Sequence, residues 1–181
     1  MGVASGYLGG VVDAVAMRLV DALLALPFLL IAIVTRRAVA DPGIVILCLL
    51  LGLLSWTTLA RVVRARAMEV RGLGYVLAAR ALGAGEASIV WTHVLPNVAG
   101  TILVLGTTLV ARMVLFESAM SFLGLGVQPP QASWGGMVAE GLGMLARTPR
   151  LVLVPGGLIV AAVFGFSLLG EALRDVLEPS R

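Results

Sequence analysis

Hydrophobic residues concentrate in four long stretches of the chain, with polar residues gathered between them. A helix that crosses a bilayer needs about 20 mostly apolar residues at about 1.5 Å each. The pattern predicts a first span from Val15 to Ala40, kinked at Pro27, where neighbouring helices must accommodate the proline. After a turn at Asp41-Pro42-Gly43, a second span covers Ile44 to Ala60. A third begins at Pro96-Asn97, where proline suits the first helical turn, and runs to Glu117. A fourth covers Leu151 to Leu169, with Pro155-Gly156-Gly157 loosening its first turns. The pattern therefore predicts an all-α, polytopic membrane protein with about four transmembrane helices, in one transmembrane domain over residues 1–181.

Two segments break the apolar pattern, over residues 61–97 and 118–150. The first contains Tyr75-Val76-Leu77-Ala78-Ala79-Arg80-Ala81-Leu82-Gly83, then nine residues, then His93-Val94-Leu95-Pro96-Asn97. Ala78, Ala79 and Ala81 let a short helix lie close to another backbone, and Leu82, Ile89 and Val90 are apolar anchors for a groove. Gly83 and Gly85 permit a sharp reversal between two short helices, and Leu95-Pro96 returns the chain to the bilayer. The same residues also suit an amphipathic helix lying on the membrane surface, with Arg80 on lipid phosphates.

The second segment runs from Glu117 through Phe122, Pro129-Pro130 and Ser133-Trp134-Gly135. Its glycines and paired prolines forbid one continuous helix, while Phe122, Leu123, Leu125 and Trp134 are too apolar for a free solvent loop. A partly embedded, re-entrant outer piece fits this pattern, as does an aromatic-anchored connector. Glu117, Phe122, Pro129, Pro130 and Trp134 are its candidate pathway residues.

Arginines near span ends give the orientation. Arg18, Arg61, Arg64, Arg66, Arg71, Arg80, Arg174 and Arg181 fall on one side, eight against the four of Arg36, Arg37, Arg147 and Arg150. This places segment 61–97 and the C-terminus in the cytoplasm, with Arg36 and Arg37 snorkelling to the outer interface.

Composition narrows the chemistry. The chain is 60% hydrophobic, and all 13 of its basic residues are arginine. Without lysine there is no phosphate-binding P-loop, so ATP hydrolysis is not expected of this polypeptide. The net charge of +3 carries no nucleic-acid-binding motif with it. No basic n-region of a signal peptide opens the sequence, whose glycine-rich start reads as the inside of a domain. Cys48 is alone in an apolar run and is expected to be a small core hydrophobe. His93 is the lone histidine and is expected to hydrogen-bond at the cytoplasmic boundary rather than hold a metal. Arg112 lies roughly 24 Å along the third span from Pro96, a depth that favours snorkelling over a pore lining. No catalytic constellation is visible.

Ala78-Ala79, three residues, Gly83, nine residues and His93-Val94-Leu95-Pro96 resemble the "EAA" loop of binding-protein-dependent ABC importer permeases. Ala119 to Gly126, followed by Pro129-Pro130 and Ser133-Trp134-Gly135, resembles the dipeptide/oligopeptide/nickel branch. Gly6-Tyr7-Leu8-Gly9-Gly10 with Asp13, Arg18 and Asp21, and Leu169-Gly170-Glu171 with Leu173-Arg174-Asp175, are similar to that branch too. The motif's usual glutamate is Leu77 here.

The resemblance implies the ABC importer permease (MetI-like) fold, with about four of its usual six spans present and the N-terminal ones lacking. It implies import of di- or oligopeptides, or of nickel, across the cytoplasmic membrane of a bacterium or archaeon. The expected partners are a homologous permease subunit, two cytoplasmic ABC ATPases that hold ATP and Mg²⁺, and an extracytoplasmic substrate-binding protein. No cofactor is expected on this chain. Ala78, Ala79, Leu82, Gly83, Ile89, Leu95 and Pro96 are the residues to which the resemblance assigns ATPase coupling. A truncated, non-transporting remnant or a membrane interaction protein is the alternative.

Overall fold

The computed structural model describes residues 1–39 and 43–177, and every regular element among them is helical. The elements are α1 (Gly2–Leu8), α2 (Gly10–Leu24), α3 (Phe28–Ala38), α4 (Gly43–Arg71), α5 (Gly74–Ala81) and α6 (Glu86–Ile89). A π-helical turn (Val90–Val94) leads into α7 (Leu95–Phe122), followed by α8 (Trp134–Gly141) and α9 (Arg150–Leu177). The predicted turn residues Asp41 and Pro42, the predicted span end Ala40 and the basic tail residue Arg181 lie outside the described residues, as do the side chains of Arg36 and Arg37.

Three stretches are long and apolar enough to cross a membrane: Ile44–Arg71, Glu86–Phe122 and Arg150–Leu177. The expected first span is instead broken in two. α2 ends at Leu24, and Pro27 takes an extended conformation (ψ 122°) as the residue capping α3. A proline with no N–H and a ring that crowds the preceding turn ends a helix more readily than it bends one.

The expected second span also runs on, to Arg71 rather than Ala60. Ala60, Val63, Ala67 and Val70 are all buried, a stripe at helical spacing that carries the helix through its arginines. The third begins before Pro96, because the turn ahead of the proline is widened. The Leu95 N–H reaches back five residues to the Val90 carbonyl. A π turn relieves the crowding between a proline ring and the turn before it. α9 keeps Pro155 inside its second turn and carries Glu171, Arg174 and Asp175 in its last turns.

The chain divides into two compact units. Unit 1 comprises residues 1–25, 55–106 and 170–181. Its core joins Tyr7, Val63, Ala67, Val70, Val76, Ile89, Val94 and Val98. Unit 2 comprises residues 26–54 and 107–169, and its core joins Ala32, Leu47, Leu50, Leu51 and Met120.

Candidate functional site

In unit 1, α5 and α6 form a hairpin. The Gly83 N–H reaches the Arg80 carbonyl at 3.0 Å, and the Ala84 N–H reaches the Ala79 carbonyl at 3.1 Å. These two bonds close the C-terminal cap in which one residue must be left-handed, and Gly83 sits there at φ +84°. The extended backbone of Gly85 then starts α6. The reversal expected from the two glycines is therefore present.

The predicted coupling residues divide into an inner and an outer set. Ile89 is buried against Tyr7 and the valines of the core, with Ala79 and Val90 packed beside it and Leu95 half-buried. Ile89 is thus a root of the hairpin in its own unit, where an anchor for a partner's groove was expected. Its register explains this, since Val94 and Val98 follow it along the same buried stripe. Ala78, Leu82, Gly83 and Pro96 face outward. Leu82 is 88% exposed, and Trp91, which sequence reasoning passed over, is 69% exposed. With Leu77 and Tyr75 they give the hairpin an apolar outer surface.

A polar node ties the hairpin down. The buried Tyr7 hydroxyl donates to the Glu86 carboxylate. Arg80 Nη2 donates to Tyr7 Oη at 3.0 Å and lies 3.3 Å from Glu86 Oε2. The Arg80 guanidinium carbon also stands 5.6 Å from the centre of the Tyr7 ring. Burial raises the Tyr7 pKa, the bond to Glu86 raises it further, and Arg80 opposes both. The bond to Tyr7 in turn holds Arg80 above its ordinary value. Tyr7 stands 73 and 79 residues from its two partners, so no local pattern pointed to the node. Outside it, Arg64 on α4 pairs with Asp13 on α2, and Arg61 pairs with Asp21 at 2.6 Å. His93 holds no metal cluster among the described residues; its ring lies 5.8 Å from that of Tyr75.

In unit 2, α7 ends by the same device. The Leu125 N–H reaches the Met120 carbonyl at 2.8 Å and the Gly124 N–H reaches Ser121 at 3.1 Å, with Gly124 at φ +74°. Ser121 donates to Glu117 at 2.6 Å and accepts from the Val127 N–H at 3.2 Å, which draws the following loop back over the helix. Gln128 Nε2 donates to the Gly124 and Gly126 carbonyls. The chain then passes Pro129-Pro130, whose peptide bond is cis, to α8, capped by the Ser133 hydroxyl on the Gly136 N–H.

Two clefts flank this loop, and the five predicted outer residues all line one or the other. Phe122, Pro129 and Pro130 line a cleft of about 370 Å³ with Gln128 and Glu140. Glu117 and Trp134 line one of about 410 Å³ with Leu47 and Met137. Cys48, expected in the core, is exposed and lines that second cleft. Arg112 is exposed on α7, apart from both.

The description "Binding-protein-dependent transport system inner membrane component" matches residues 1–181. The chain is 39% identical over 171 residues to the oligopeptide transport system permease protein OppC of Escherichia coli K12, covering 94% of this chain and 56% of that one. It is 38% identical to OppC of Bacillus subtilis, covering 97% and 57% of the two chains. A putative peptide permease protein of Brucella ovis is 39% identical, with 99% and 60% covered. The chain therefore spans somewhat over half the length of these relatives. It is a multi-pass, all-helical membrane protein and belongs to the family of inner membrane components of binding-protein-dependent transport systems.

Proposed function

We propose that this chain is the membrane-spanning permease subunit of an ATP-driven importer that carries di- or oligopeptides, or nickel, across the cytoplasmic membrane of a bacterium or archaeon. A homologous permease completes the pore, two cytoplasmic ABC ATPases hold the ATP and Mg²⁺, and an extracytoplasmic binding protein delivers the substrate. The permease family and the peptide-permease names of the relatives support this reading. The observation that carries it is the hairpin, whose apolar Leu82 is held almost wholly out of its own fold by a left-handed glycine.

In this reading Ala78, Leu82, Gly83 and Pro96 meet the ATPase, while Ala79, Ile89 and Leu95 set the hairpin's angle from beneath. Glu117, Phe122, Pro129, Pro130 and Trp134 shape the outer mouth of the path. ATP-driven closure of the ATPases rocks the spans between inward- and outward-facing states. The test is ATP-dependent uptake of a labelled oligopeptide by the reconstituted transporter. Leu82→Asp is expected to abolish uptake and to release the ATPases during purification. Full uptake with Leu82→Asp would overturn the docking assignment.

A further inference from the structure

We propose that Tyr7, Arg80 and Glu86 are positioning residues that pass the movement of the α5–α6 hairpin to α1 and, through α1, to α4. The inference rests on the permease reading above and adds a route inside this chain.

The hairpin has two kinds of hold on its unit. Val76 and Ile89 bury against the core, with Ala79 beside them. Such apolar contact is non-directional and lets a surface slide. The second hold is directional. Among the described residues, the side-chain hydrogen bonds that join the hairpin to another element all end on the Tyr7 hydroxyl. Because one bond comes from the end of α5 and the other from the start of α6, both arms of the hairpin are tied to one atom. Both bonds involve a charged group, the stronger class of hydrogen bond.

What lies behind Tyr7 is rigid. A Cβ on the neighbouring Gly6 would collide with the Arg64 carbonyl oxygen, and one on Gly2 with that of Ala60. α1 therefore lies directly on the backbone of α4 through a Gly-x-x-x-Gly face, with no side chain between them to yield. The Asp13–Arg64 pair holds the start of α2 to the same turn of α4. A displacement of the hairpin thus moves α1 and α4 together. The node also carries a cost that a purely structural contact would avoid, since Arg80 Nε is buried without an acceptor.

The test uses the complete transporter with its partner subunits, purified and reconstituted in liposomes with its binding protein. ATP hydrolysis and import of a labelled oligopeptide are measured on the same preparation. Tyr7→Phe keeps the ring and removes the hydroxyl, and Glu86→Leu removes the acceptor. Each is expected to leave ATPase association and hydrolysis within about twofold of wild type and to lower import per ATP about tenfold, the scale of one charge-assisted hydrogen bond. The double variant falls no further than either single one, and Glu86→Gln, which keeps an acceptor, recovers most of the ratio. An unchanged import-to-ATP ratio with Tyr7→Phe would overturn the inference. Should Tyr7→Phe fail to assemble, equal ratios for Glu86→Leu and Glu86→Gln would do the same. A wild-type preparation that binds no ATPase or imports no peptide would instead sink the permease reading, and this inference with it.

Discussion

The turns at Gly83 and Gly124 close with the same pair of backbone bonds around one left-handed glycine, yet they dispose of their leucines in opposite ways. Leu82, before Gly83, points away from the fold and is 88% exposed. Leu125, after Gly124, packs against the buried Met120 and brings the loop back over α7. One turn thus holds an apolar side chain out for a partner, while the other closes on its own helix. The units that carry them differ similarly. The pairs Arg61–Asp21, Arg64–Asp13, Arg66–Glu69 and Arg80–Glu86 all lie in unit 1. In unit 2, α8 is set by close approach, since a Cβ at Gly135 would collide with the Ser118 carbonyl oxygen.

That difference breaks first at Gly135. Gly135→Val forces α8 away from α7 and is expected to cost about 3 kcal/mol, the upper end of ordinary overpacking. Thermal unfolding in detergent should show it as the largest drop in melting temperature among these variants. A Gly135→Val protein as stable as wild type would mean that α8 is not held by this contact.

The leucines come next. Leu125→Asp places a carboxylate against Met120 and is expected to destabilise the protein by about 2 kcal/mol. Leu82→Asp should leave stability within about 0.5 kcal/mol, as exposed substitutions do, while removing ATPase association. Equal stability losses at the two positions would erase the contrast between the turns.

Much of this was legible along the chain, and the exceptions share a cause. The reversal at Gly83, the re-entrant course past Pro129-Pro130 and three long apolar helices follow from local rules of turn chemistry and hydrophobic length. The break at Pro27 was visible as a proline, but kink and stop differ only in what the neighbouring turns do. The misplaced residues are those whose surroundings are distant in sequence. Ile89 was taken for an outward anchor because its partners Tyr7 and Val63 lie far along the chain. Cys48 was taken for core because an apolar run looks the same whether it faces protein or a cleft. The Tyr7–Arg80–Glu86 node needed a contact across 79 residues, which no periodicity encodes.

The two glycines offer a comparison with the backbone cost held fixed. Neither Gly83 nor Gly124 has an atom within 4 Å of where a Cβ would stand, so alanine meets only the left-handed penalty. Gly83→Ala and Gly124→Ala should each cost about 1 kcal/mol in thermal unfolding. Peptide uptake should then separate them, with Gly83→Ala the more impaired because its turn carries the exposed Leu82. A larger transport defect at Gly124 would place the more sensitive turn in unit 2.

The smallest effect concerns the charges of unit 1. The hydrogen bond from Arg64, aided by its charge, holds the Asp13 carboxyl below its ordinary pKa. A carboxylate depressed in the folded state adds stability above its unfolded pKa, about 3.9, and loses that contribution as pH falls through the folded value. Asp13→Asn should therefore melt below wild type at neutral pH, and the gap should close progressively as pH drops under about 4. The gap should also narrow in high salt, since the pair is partly open to water. Gly135→Val, which acts through contact alone, should show the same deficit at every pH and salt concentration at which the protein stays folded. A Gly135→Val deficit that tracks pH like that of Asp13→Asn would mean that charge, and not close packing, holds unit 2 as well.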